Sequence, residues 1–477
     1  MLNNKEFRKE AHQLVDWMAD FLENIEDLPV KSKVLPGSVM NQLPLNAPDD
    51  SELFNKVFED FKDIILPGMT HWQHPNFHAY FPGNSSYPSL LGEMLTSTLA
   101  AQCMIWETSP AAAELEERVM DWLKKMLGLP QEWDGCIQDT ASTATLAAML
   151  SARERITDFR INAEGFNQEK LRYYCSTQTH SSMDKAIKVL GAGLDNLVKI
   201  EVDENMAMKP DKLLAAIEDD IAHGYIPTAV VSAIGTTGTL AVDPLNEIGK
   251  ICNLHGVWLH VDAAYAGTAL LLPEFRWMND GIELADSFVF NPHKWMFTNF
   301  DCTAYFVKDR DILLKTFEIL PEYLKTRTTG KVKDYRDWGI PLGRRFRALK
   351  LWFVIRDFGV KGIQKRLRDH ISYADWIADK IKKSQDFELV TKPLLNMVCF
   401  RCTPSNVPEE NWNQLNENIL MKINDSGEAY LTHTKVNGIY TIRMVMGQTY
   451  LQLKHVEKTW DIILRMTEEE MTNFKKN

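Results

Sequence analysis

The stretch SFVFNPHKWMFTNFDC, from Ser287 to Cys302, contains a lysine in strongly apolar surroundings. Around Lys294, phenylalanine, tryptophan, methionine and valine give the segment the composition of a protein core. Burial lowers the pKa of a lysine because it disfavours the charged form, and the neutral amine is a nucleophile. A lysine at a strand end can also extend its ammonium group to the surface, so both interpretations stay open at this point.

An aspartate with small neighbours ends another apolar run. VWLHV leads directly into Asp262, and Ala263 and Ala264 follow it. A carboxylate at a strand end with room beside it suits a cationic ring nitrogen, an arginine or a metal as its partner. The alternative is an aspartate that caps the following turn.

Two further groups could bind the same ligand. His180 follows the β-rich run LRYYCST, and on its own it is either a flat imidazole in a site or an ordinary hydrogen-bonded polar residue. Thr140, Ala141, Ser142 and Thr143 precede the helical run TLAAMLSARER, so hydroxyls and backbone amides gather at a helix N-terminus. Such a terminus binds phosphate, although the hydroxyls could equally serve as helix caps.

Taken together, these groups suit a ligand with an aldehyde, a basic ring nitrogen, a planar face and a phosphate. Pyridoxal 5'-phosphate has all four features. Lys294 would condense with the aldehyde, and Asp262 would keep the ring nitrogen protonated so that the ring can accept electrons.

The elements that would position these residues alternate along the chain from about residue 170. Short β-rich runs are separated by helical runs such as DKLLAAIEDDIAHG and NEIGKICNLHG, which predicts an α/β fold with a mainly parallel sheet flanked by helices. In such sheets ligands bind beyond the carboxyl ends of the strands. The β-rich runs are LRYYCST, LVKIEV, AVVSAIG, VWLHVDA, SFVF and TAYFV.

The two ends of the chain have other patterns. Residues 5–27 predict a helix with a wide apolar stripe, which a partner subunit could cover. Ser109 and Pro110 open a helix that Gly128 closes. After about residue 350, helices followed by short strands indicate a smaller α+β domain. We therefore predict three segments: an N-terminal helical dimerisation segment (1–85), a large cofactor-binding α/β domain (86–351) and a small C-terminal α+β domain (352–477).

Composition disfavours several classes of protein. A formal charge of −12 without a basic block disfavours nucleic-acid and anionic-membrane partners. Seven scattered cysteines favour a reducing compartment over a disulfide framework. The CFRC sequence lacks the second pair of cysteines or histidines that a zinc site needs, so we interpret CFRC as a strand and expect no metal. With no signal-peptide or membrane-spanning pattern, we expect a cytoplasmic protein.

Five motifs resemble the group II pyridoxal-phosphate decarboxylases, and within them the aromatic-L-amino-acid decarboxylase branch. The resemblance covers nearly the whole chain and is densest from about residue 72 to 350. It implies a fold-type I enzyme similar to aspartate aminotransferase, and a homodimer with shared active sites whose partner is a small-molecule amino-acid substrate. The motifs are AYFPGNSSYP (79–88), STQTHSS (176–182), HVDAAYAG (260–267), NPHKW (291–295) and DYRDWGIPLGRRFR (334–347).

The resemblance also implies roles for individual residues. Lys294 matches the lysine that binds the cofactor, Asp262 the partner of the ring nitrogen, and His180 the imidazole stacked on the ring. Tyr323, in PEYLK, matches the tyrosine that protonates the carbanionic carbon after carbon dioxide leaves. The remaining cofactor contacts implied are phosphate anchors at Ala141, Ser142 and Asn291, and neighbours of the cofactor at Thr236, Ala264 and His293.

The substrate pocket implied by the resemblance is lined by aromatic residues, and one wall comes from the partner subunit. Gln102 and Met104 stand where animal aromatic decarboxylases have isoleucine and phenylalanine, and Gly83 replaces a hydroxyl residue. The sequence therefore leaves undecided which aromatic ring the preferred substrate carries. Trp295 resembles the aromatic and histidine branches. The implied pocket residues are Trp72, Tyr80, Phe81, Pro82, Gln102, Met104 and Gly343, and the aromatic ones could alternatively be ordinary core residues.

Two other functions fit parts of the pattern. An aldehyde synthase on the same scaffold decarboxylates and oxidatively deaminates, but such relatives usually replace the loop tyrosine or the stacking histidine, and this chain keeps Tyr323 and His180. A catalytically silent binding protein would not need the intact cofactor residues. We therefore expect decarboxylation of a tryptophan, tyrosine, phenylalanine or DOPA type of substrate to the amine.

Overall fold

The computed structural model describes residues 2–319 and 331–474. The chain divides into two compact units. The first comprises Met1–Pro82, Tyr373–Val390 and Val398–Asn477, and the second comprises Gly83–Ser372 and Thr391–Met397. The three segments inferred from the sequence stay a prediction.

The second unit is built on a seven-stranded sheet with the order β1-β7-β6-β5-β4-β2-β3. β7 runs antiparallel to both of its neighbours, whereas the pairs from β6 to β3 are parallel, which confirms the mainly parallel sheet expected from the sequence. The strands are β1 (Asp134–Gln138), β2 (Leu171–Ser176), β3 (Leu197–Ile200), β4 (Ile226–Ala233), β5 (Trp258–Asp262), β6 (Ser287–Phe290) and β7 (Thr303–Val307).

Apolar side chains on both faces place the central strands in the core. Every residue of β6 and β7 is buried, as expected for strands covered by helices on both sides. β1, with the sequence DGCIQ, was not recognised in the sequence because aspartate, glycine and glutamine are poor strand formers. Its pairing with β7 overrides that local preference.

Helices of the second unit connect the strands. Gly128 closes α4 at a φ of 71°, as the sequence predicted. The buried face of α5 includes Ala144, Ala147 and Ala148, whose small side chains let this helix lie close to β4, β5 and β6. The helices are α3 (Tyr87–Leu99), α4 (Pro110–Leu127), α5 (Ala141–Ile156), α6 (Arg160–Glu164), α7 (Ser182–Val189), α8 (Pro210–Ala222), α9 (Leu245–His255), α10 (Pro292–Trp295) and α11 (Arg310–Phe317).

The first unit has its own core and a four-stranded sheet with the order β10-β11-β9-β8. The CFRC sequence lies in β9 with both cysteines buried, as predicted. Its elements are α1 (Asn4–Glu23), α2 (Phe54–Asp60), β8 (Phe387–Leu389), β9 (Met397–Cys402), α13 (Trp412–Ser426), β10 (Thr432–Val436), β11 (Ile439–Val445) and α14 (Leu453–Phe474). Residues of both units belong to α12 (Arg347–Lys383), which is interrupted at Gly359.

Membrane-spanning helices were sought over the described ranges 2–319 and 331–474. In these ranges no helix combines the length and the apolar character that crossing a bilayer requires.

Candidate active site

Lys294 lies just beyond the carboxyl end of β6, in the short helix α10. Its side chain is half-buried between the buried residues His293 and Trp295. The backbone is fixed on both sides, because its N–H donates to the carbonyl of Asn291 (2.9 Å) and its carbonyl accepts from Nδ2 of Asn84 (2.6 Å). Burial lowers the pKa of Lys294, and the neighbouring Asp262 carboxylate partly opposes this effect. The amine is therefore more readily neutral and nucleophilic than an exposed lysine.

Asp262 is the last residue of β5, the strand next to β6. Its Oδ1 accepts the N–H of Ala264 (3.0 Å), so the turn-capping role considered from the sequence is present. Oδ2 accepts no hydrogen bond from residues 2–319 or 331–474. The carboxylate thus has one oxygen for the backbone turn and one for a ligand.

His180 follows β2 and precedes α7. Its Nδ1 accepts the N–H of Ser182 (3.1 Å), so the proton of the neutral imidazole lies on Nε2. The residue is exposed, yet partial desolvation of the ring lowers its pKa, while Asp262 raises it and Lys294 lowers it further. Since both charged groups act on this imidazole, the structure brings the three residues that the sequence singled out to the same edge of the sheet.

The N-terminus of α5 presents unused donors at the same edge. Oγ1 of Thr140 accepts the N–H of Thr143 (3.3 Å), so these two hydroxyl residues do form a helix cap. The amides of Ala141 and Ser142 donate to no acceptor within the described parts of the chain, and Ser142 is exposed. A helix start with free amides carries a partial positive charge that suits an anion.

Thr303, the first residue of β7, connects this helix start to Asn291. Its Oγ1 lies 2.8 Å from Oδ1 of Asn291 and 3.1 Å from the carbonyl of Asp139, the residue that precedes the N-cap of α5. Asn291 is buried, and its Nδ2 has no acceptor in residues 2–319 and 331–474. The predicted anchors Ala141, Ser142 and Asn291 therefore lie around Thr303, which sequence reasoning missed.

Three further predicted cofactor neighbours have mainly supporting roles in the chain. The carbonyl of Ala264 accepts the N–H of Asn291 (3.0 Å), which fixes that residue at the end of β6. Thr236 lies in the loop after β4. The Oγ1 of Thr236 accepts the N–H of Ala241 (3.1 Å), which closes a turn. Nδ1 of His293 accepts the N–H of Cys302 (3.0 Å), and burial lowers the pKa of His293 to about 3. His293 is thus a neutral imidazole with its proton on Nε2.

The aromatic residues predicted for the substrate pocket form a cluster in the first unit. The rings of Trp72 and Tyr80 stack at 5.8 Å, and both side chains are exposed. Tyr430 lies beside them, with its hydroxyl 3.3 Å from that of Tyr80, and had no signal in the sequence because it is distant along the chain. Phe81 is buried beside Arg443 and Pro82 is also buried, so these two have the character of core residues.

The other predicted pocket residues lie in the second unit. Oε1 of Gln102 accepts the N–H of Arg344 (2.7 Å), and the Gln102 side chain lies against Gly343. The carbonyl of Met104 accepts the N–H of Arg336 (2.8 Å). The segments around residues 103 and 340 are therefore adjacent. Tyr323 lies outside the described residues.

Comparison with known proteins agrees with this arrangement. The family model of the pyridoxal-dependent decarboxylase conserved domain matches residues 36–403. The chain is 42% identical to phenylacetaldehyde synthase of Arabidopsis thaliana (97% of this chain, 96% of the relative) and 41% identical to aromatic-L-amino-acid decarboxylase of Mus musculus (97% of each).

A solved structure gives the same result for the fold. The Oryza sativa TDC crystallised with PLP and tryptamine superposes with a TM-score of 0.95 at 35% identity, over 98% of this chain and 99% of that one. The resemblance found in the sequence motifs is confirmed, and so is the fold-type I architecture. The chain belongs to the pyridoxal-dependent decarboxylase family, whose members are lyases that use pyridoxal phosphate.

Proposed function

We propose that this protein decarboxylates an aromatic L-amino acid of the tryptophan, tyrosine, phenylalanine or DOPA type to the corresponding amine and carbon dioxide. The observation that carries the proposal is the convergence of Lys294, Asp262 and His180 beside the start of α5. The relatives named above include an aromatic-L-amino-acid decarboxylase with similarity over nearly the full length of both chains.

The side chains at this edge of the sheet fit pyridoxal phosphate. The amides of Ala141 and Ser142 and Nδ2 of Asn291, which have no acceptor in residues 2–319 and 331–474, supply donors for a phosphate. Asp262 keeps one carboxylate oxygen for a protonated ring nitrogen, and Lys294 supplies an amine that burial makes nucleophilic. These donors, the carboxylate and the amine suit three of the four features of the cofactor, and the imidazole of His180 suits the fourth, the planar face.

Each residue then has a defined task. The bound cofactor supplies an electron sink for the bond that breaks. Asp262 would hold a proton on the ring nitrogen, and the neutral imidazole of His180 would lie against the ring. Lys294 would anchor the cofactor and would later help to release the amine. The resemblance assigns to Tyr323, which lies outside the described residues, the delivery of the proton to the α-carbon.

We infer that the substrate ring contacts Trp72 and Tyr80, whose exposed stacked rings provide an apolar surface with a polar rim. We propose that Phe81 and Pro82, which are buried, belong to the same pocket. We propose that Gln102 and Met104 belong to the wall that the other subunit contributes and that Gly343 lines the same pocket.

A homodimer is supported by an exposed apolar stripe on α3. Positions spaced by three or four residues lie on one face of a helix, and a stripe of this kind marks an interaction surface. The exposed members are Tyr87, Leu91, Met94, Leu95 and Leu99, each with 41–62% of its surface accessible. The negative net charge and the buried free cysteines agree with a cytoplasmic location.

Product analysis tests the function directly. The purified protein is assayed with tryptophan, tyrosine, phenylalanine, DOPA and 5-hydroxytryptophan, with glutamate and histidine as controls, and carbon dioxide, amine, peroxide and aldehyde are measured. Amine equimolar with carbon dioxide is expected for at least one aromatic substrate. Turnover confined to glutamate or histidine would overturn the proposal.

The aldehyde synthase is the second candidate, because one relative with 42% identity carries that name. It predicts aldehyde and peroxide without amine. His180 and Tyr323 favour the simple decarboxylase. A catalytically silent protein would bind no cofactor through Lys294, which visible absorbance before and after borohydride treatment would reveal.

A further inference from the structure

Trp295, the residue after Lys294, has a ring that is held at its polar end. Its indole Nε1–H donates to Nδ1 of His370 in α12 (3.0 Å), and both side chains are buried. A buried donor without an acceptor costs about 1–3 kcal/mol, so this hydrogen bond favours one orientation of the indole. Because its Nδ1 accepts, His370 is a neutral imidazole with its proton on Nε2.

The face of the same indole stacks on the ring of Tyr265. The two ring centroids lie 5.3 Å apart, and the ring planes are nearly parallel, at 7° to each other. The hydroxyl of Tyr265 accepts a hydrogen bond from Nδ2 of Asn396 (2.5 Å), and both of these side chains are buried as well. The stacked pair is therefore held at both polar ends, by His370 and by Asn396.

The stacked pair joins the two segments that carry the amine and the carboxylate of the candidate site. Tyr265 belongs to the turn that follows Asp262, and Trp295 directly follows Lys294 in α10. Any shift of one ring against the other would therefore move α10 relative to the end of β5.

Main-chain hydrogen bonds hold the same two segments together closer to the strands. The N–H of Ala263 donates to the carbonyl of Val289 (2.9 Å), and the N–H of Asn291 donates to the carbonyl of Ala264 (3.0 Å). These bonds fix the turn after β5 against the end of β6. The stacked rings continue this series of contacts beyond β6, into the helix that carries the lysine.

The spacing between Lys294 and Asp262 matters because both would act on one rigid ligand. In pyridoxal phosphate the aldehyde and the ring nitrogen are attached to the same aromatic ring, so the distance between them cannot adjust. The amine and the carboxylate must therefore be spaced to match that ring. A misplacement of about 1 Å at a reacting centre can slow a reaction about 100-fold.

We propose that the stack of Tyr265 on Trp295 sets the spacing between the amine and the carboxylate of the site. His370 is then a positioning residue, because it acts through the tryptophan ring that it orients. The inference rests on the proposed function, since it concerns the cofactor that this function needs. It adds to that function a structural requirement: the orientation of the indole, and not its volume alone, determines how the cofactor is held.

Two substitutions of His370 separate an orienting role from a space-filling role. Leucine and asparagine have similar shapes, but only asparagine offers an oxygen where Nδ1 of the histidine lies. In His370→Leu we expect kcat to fall about 10-fold with little change in KM, and the cofactor dissociation constant to rise about 3- to 10-fold. His370→Asn should restore both values to within about twofold of the unchanged protein. Equal losses in the two variants would overturn the orienting role.

A double-mutant cycle tests whether His370 acts through Trp295. Trp295→Phe removes the N–H donor and keeps a buried aromatic ring, and we expect it to lower kcat about 10-fold. The double variant Trp295→Phe with His370→Leu should match Trp295→Phe within about twofold, because both changes remove the same hydrogen bond. Losses that multiply to about 100-fold would show that the two residues act independently, which contradicts the inference.

Trp133→Phe is the matched control for Trp295→Phe. Trp133 is also buried and precedes Asp134, the first residue of β1, whereas the other end of that strand, where Gln138 pairs with Thr303, lies at the candidate site. The melting temperature should fall because the core loses the same apolar volume, while kcat and cofactor dissociation stay unchanged. An equal loss of kcat in Trp133→Phe would attribute the effect to general destabilisation and overturn the inference.

A measurement without substrate separates this inference from the proposed function. Pyridoxal phosphate has no stereocentre, so the visible circular dichroism of the bound cofactor depends on how the protein holds it. We expect this band to weaken in Trp295→Phe and His370→Leu and to persist in His370→Asn and Trp133→Phe. This pattern supports the inference even if no aromatic amino acid is turned over, in which case the proposed function alone fails.

The opposite result is equally clear. An unchanged band and an unchanged cofactor dissociation constant in Trp295→Phe make the inference wrong, even when the protein forms amine. If His370→Leu does not fold, as judged by thermal melting, Trp295→Phe alone decides. An unchanged protein that binds no pyridoxal phosphate overturns both proposals.

Discussion

Asn84 holds the two peptide groups that flank Lys294, the one before it and the one after it. Its Nδ2 donates to the carbonyl of Lys294 (2.6 Å), and its N–H donates to the carbonyl of His293 (2.9 Å). Asn84 is distant from Lys294 in sequence, so this contact fixes the lysine only once the chain has folded. The position of the reactive amine thus depends on a residue to which the sequence analysis assigned no role.

Replacing Asn84 should misplace Lys294 without removing it. In Asn84→Ala we expect the cofactor still to attach and kcat to fall about 10-fold, because a small displacement of a catalytic group slows the reaction strongly. Steady-state kinetics together with the visible spectrum of the bound cofactor check this. Asn413→Ala, on the exposed surface of α13, is the control. An unchanged kcat in Asn84→Ala would contradict the role.

Lys294→Ala should abolish covalent attachment of the cofactor and lower kcat by about a thousandfold or more, since the amine has no substitute in its own peptide segment. Borohydride reduction followed by mass spectrometry of the 287–302 segment measures attachment. Lys308→Ala removes an exposed lysine just after β7 and should behave like the unchanged protein. Full attachment in Lys294→Ala would refute the assignment.

Thr303→Val removes the hydroxyl between Asn291 and the start of α5 while preserving the shape of the side chain. We expect the cofactor to dissociate about 10-fold more readily and the free energy of unfolding to fall by about 1–3 kcal/mol, because buried polar partners lose a hydrogen bond. Cofactor titration and urea unfolding measure the two effects. The control is Thr316→Val, because the hydroxyl of Thr316 donates to the carbonyl of Ile312 in its own helix, and it should leave cofactor affinity unchanged.

The stability of the protein should decrease in acid because of His78. Burial lowers its pKa from the ordinary value of 6.5 to about 4 in the folded state. Between these pH values the unfolded chain binds more protons, so the free energy of unfolding falls as the pH falls from about 6.5 to 4. This residue alone accounts for about 3 kcal/mol. Nδ1 faces the carbonyl of Val445 (2.9 Å) and Nε2 faces the hydroxyl of Thr459 (3.1 Å). The titratable groups that act on His78 are His74 and His455, and burial lowers the pKa of both of these as well.

Urea unfolding at several pH values tests this linkage. His78→Asn retains a donor for Val445 but cannot titrate, so its free energy of unfolding should depend less steeply on pH below 6.5. His12→Asn, at an exposed position in α1, should keep the original slope. Identical slopes in the two variants would rule out His78 as the source.

The proposed dimer depends on the apolar stripe of α3. Leu91→Asp combined with Leu95→Asp should give monomers in analytical ultracentrifugation, because two charges would be buried in the interface. Leu254→Asp, at an exposed position in α9, should stay dimeric. A dimer that tolerates both charges on α3 would place the interface elsewhere.

Some parts of the site were predictable from the sequence because they follow strand ends. Asp262 ends β5, and His180 and Lys294 follow β2 and β6, so parallel strands alone bring them to one edge. Thr303 was missed because it begins β7, the strand of opposite direction, and a threonine before an apolar run carries no distinctive signal. Asn84 and Tyr430 were missed for another reason. Their contacts join segments that are far apart along the chain, which periodicity cannot detect.

The reversed direction of β7 has one more effect. β6 ends and β7 begins at the same edge, so the connection that carries Lys294 returns immediately to the neighbouring strand and is attached at both ends. Such a tether limits the conformational entropy of the intervening backbone in the native state. The ordering of the nucleophile is thus completed during folding, and its entropic cost does not recur with each catalytic cycle.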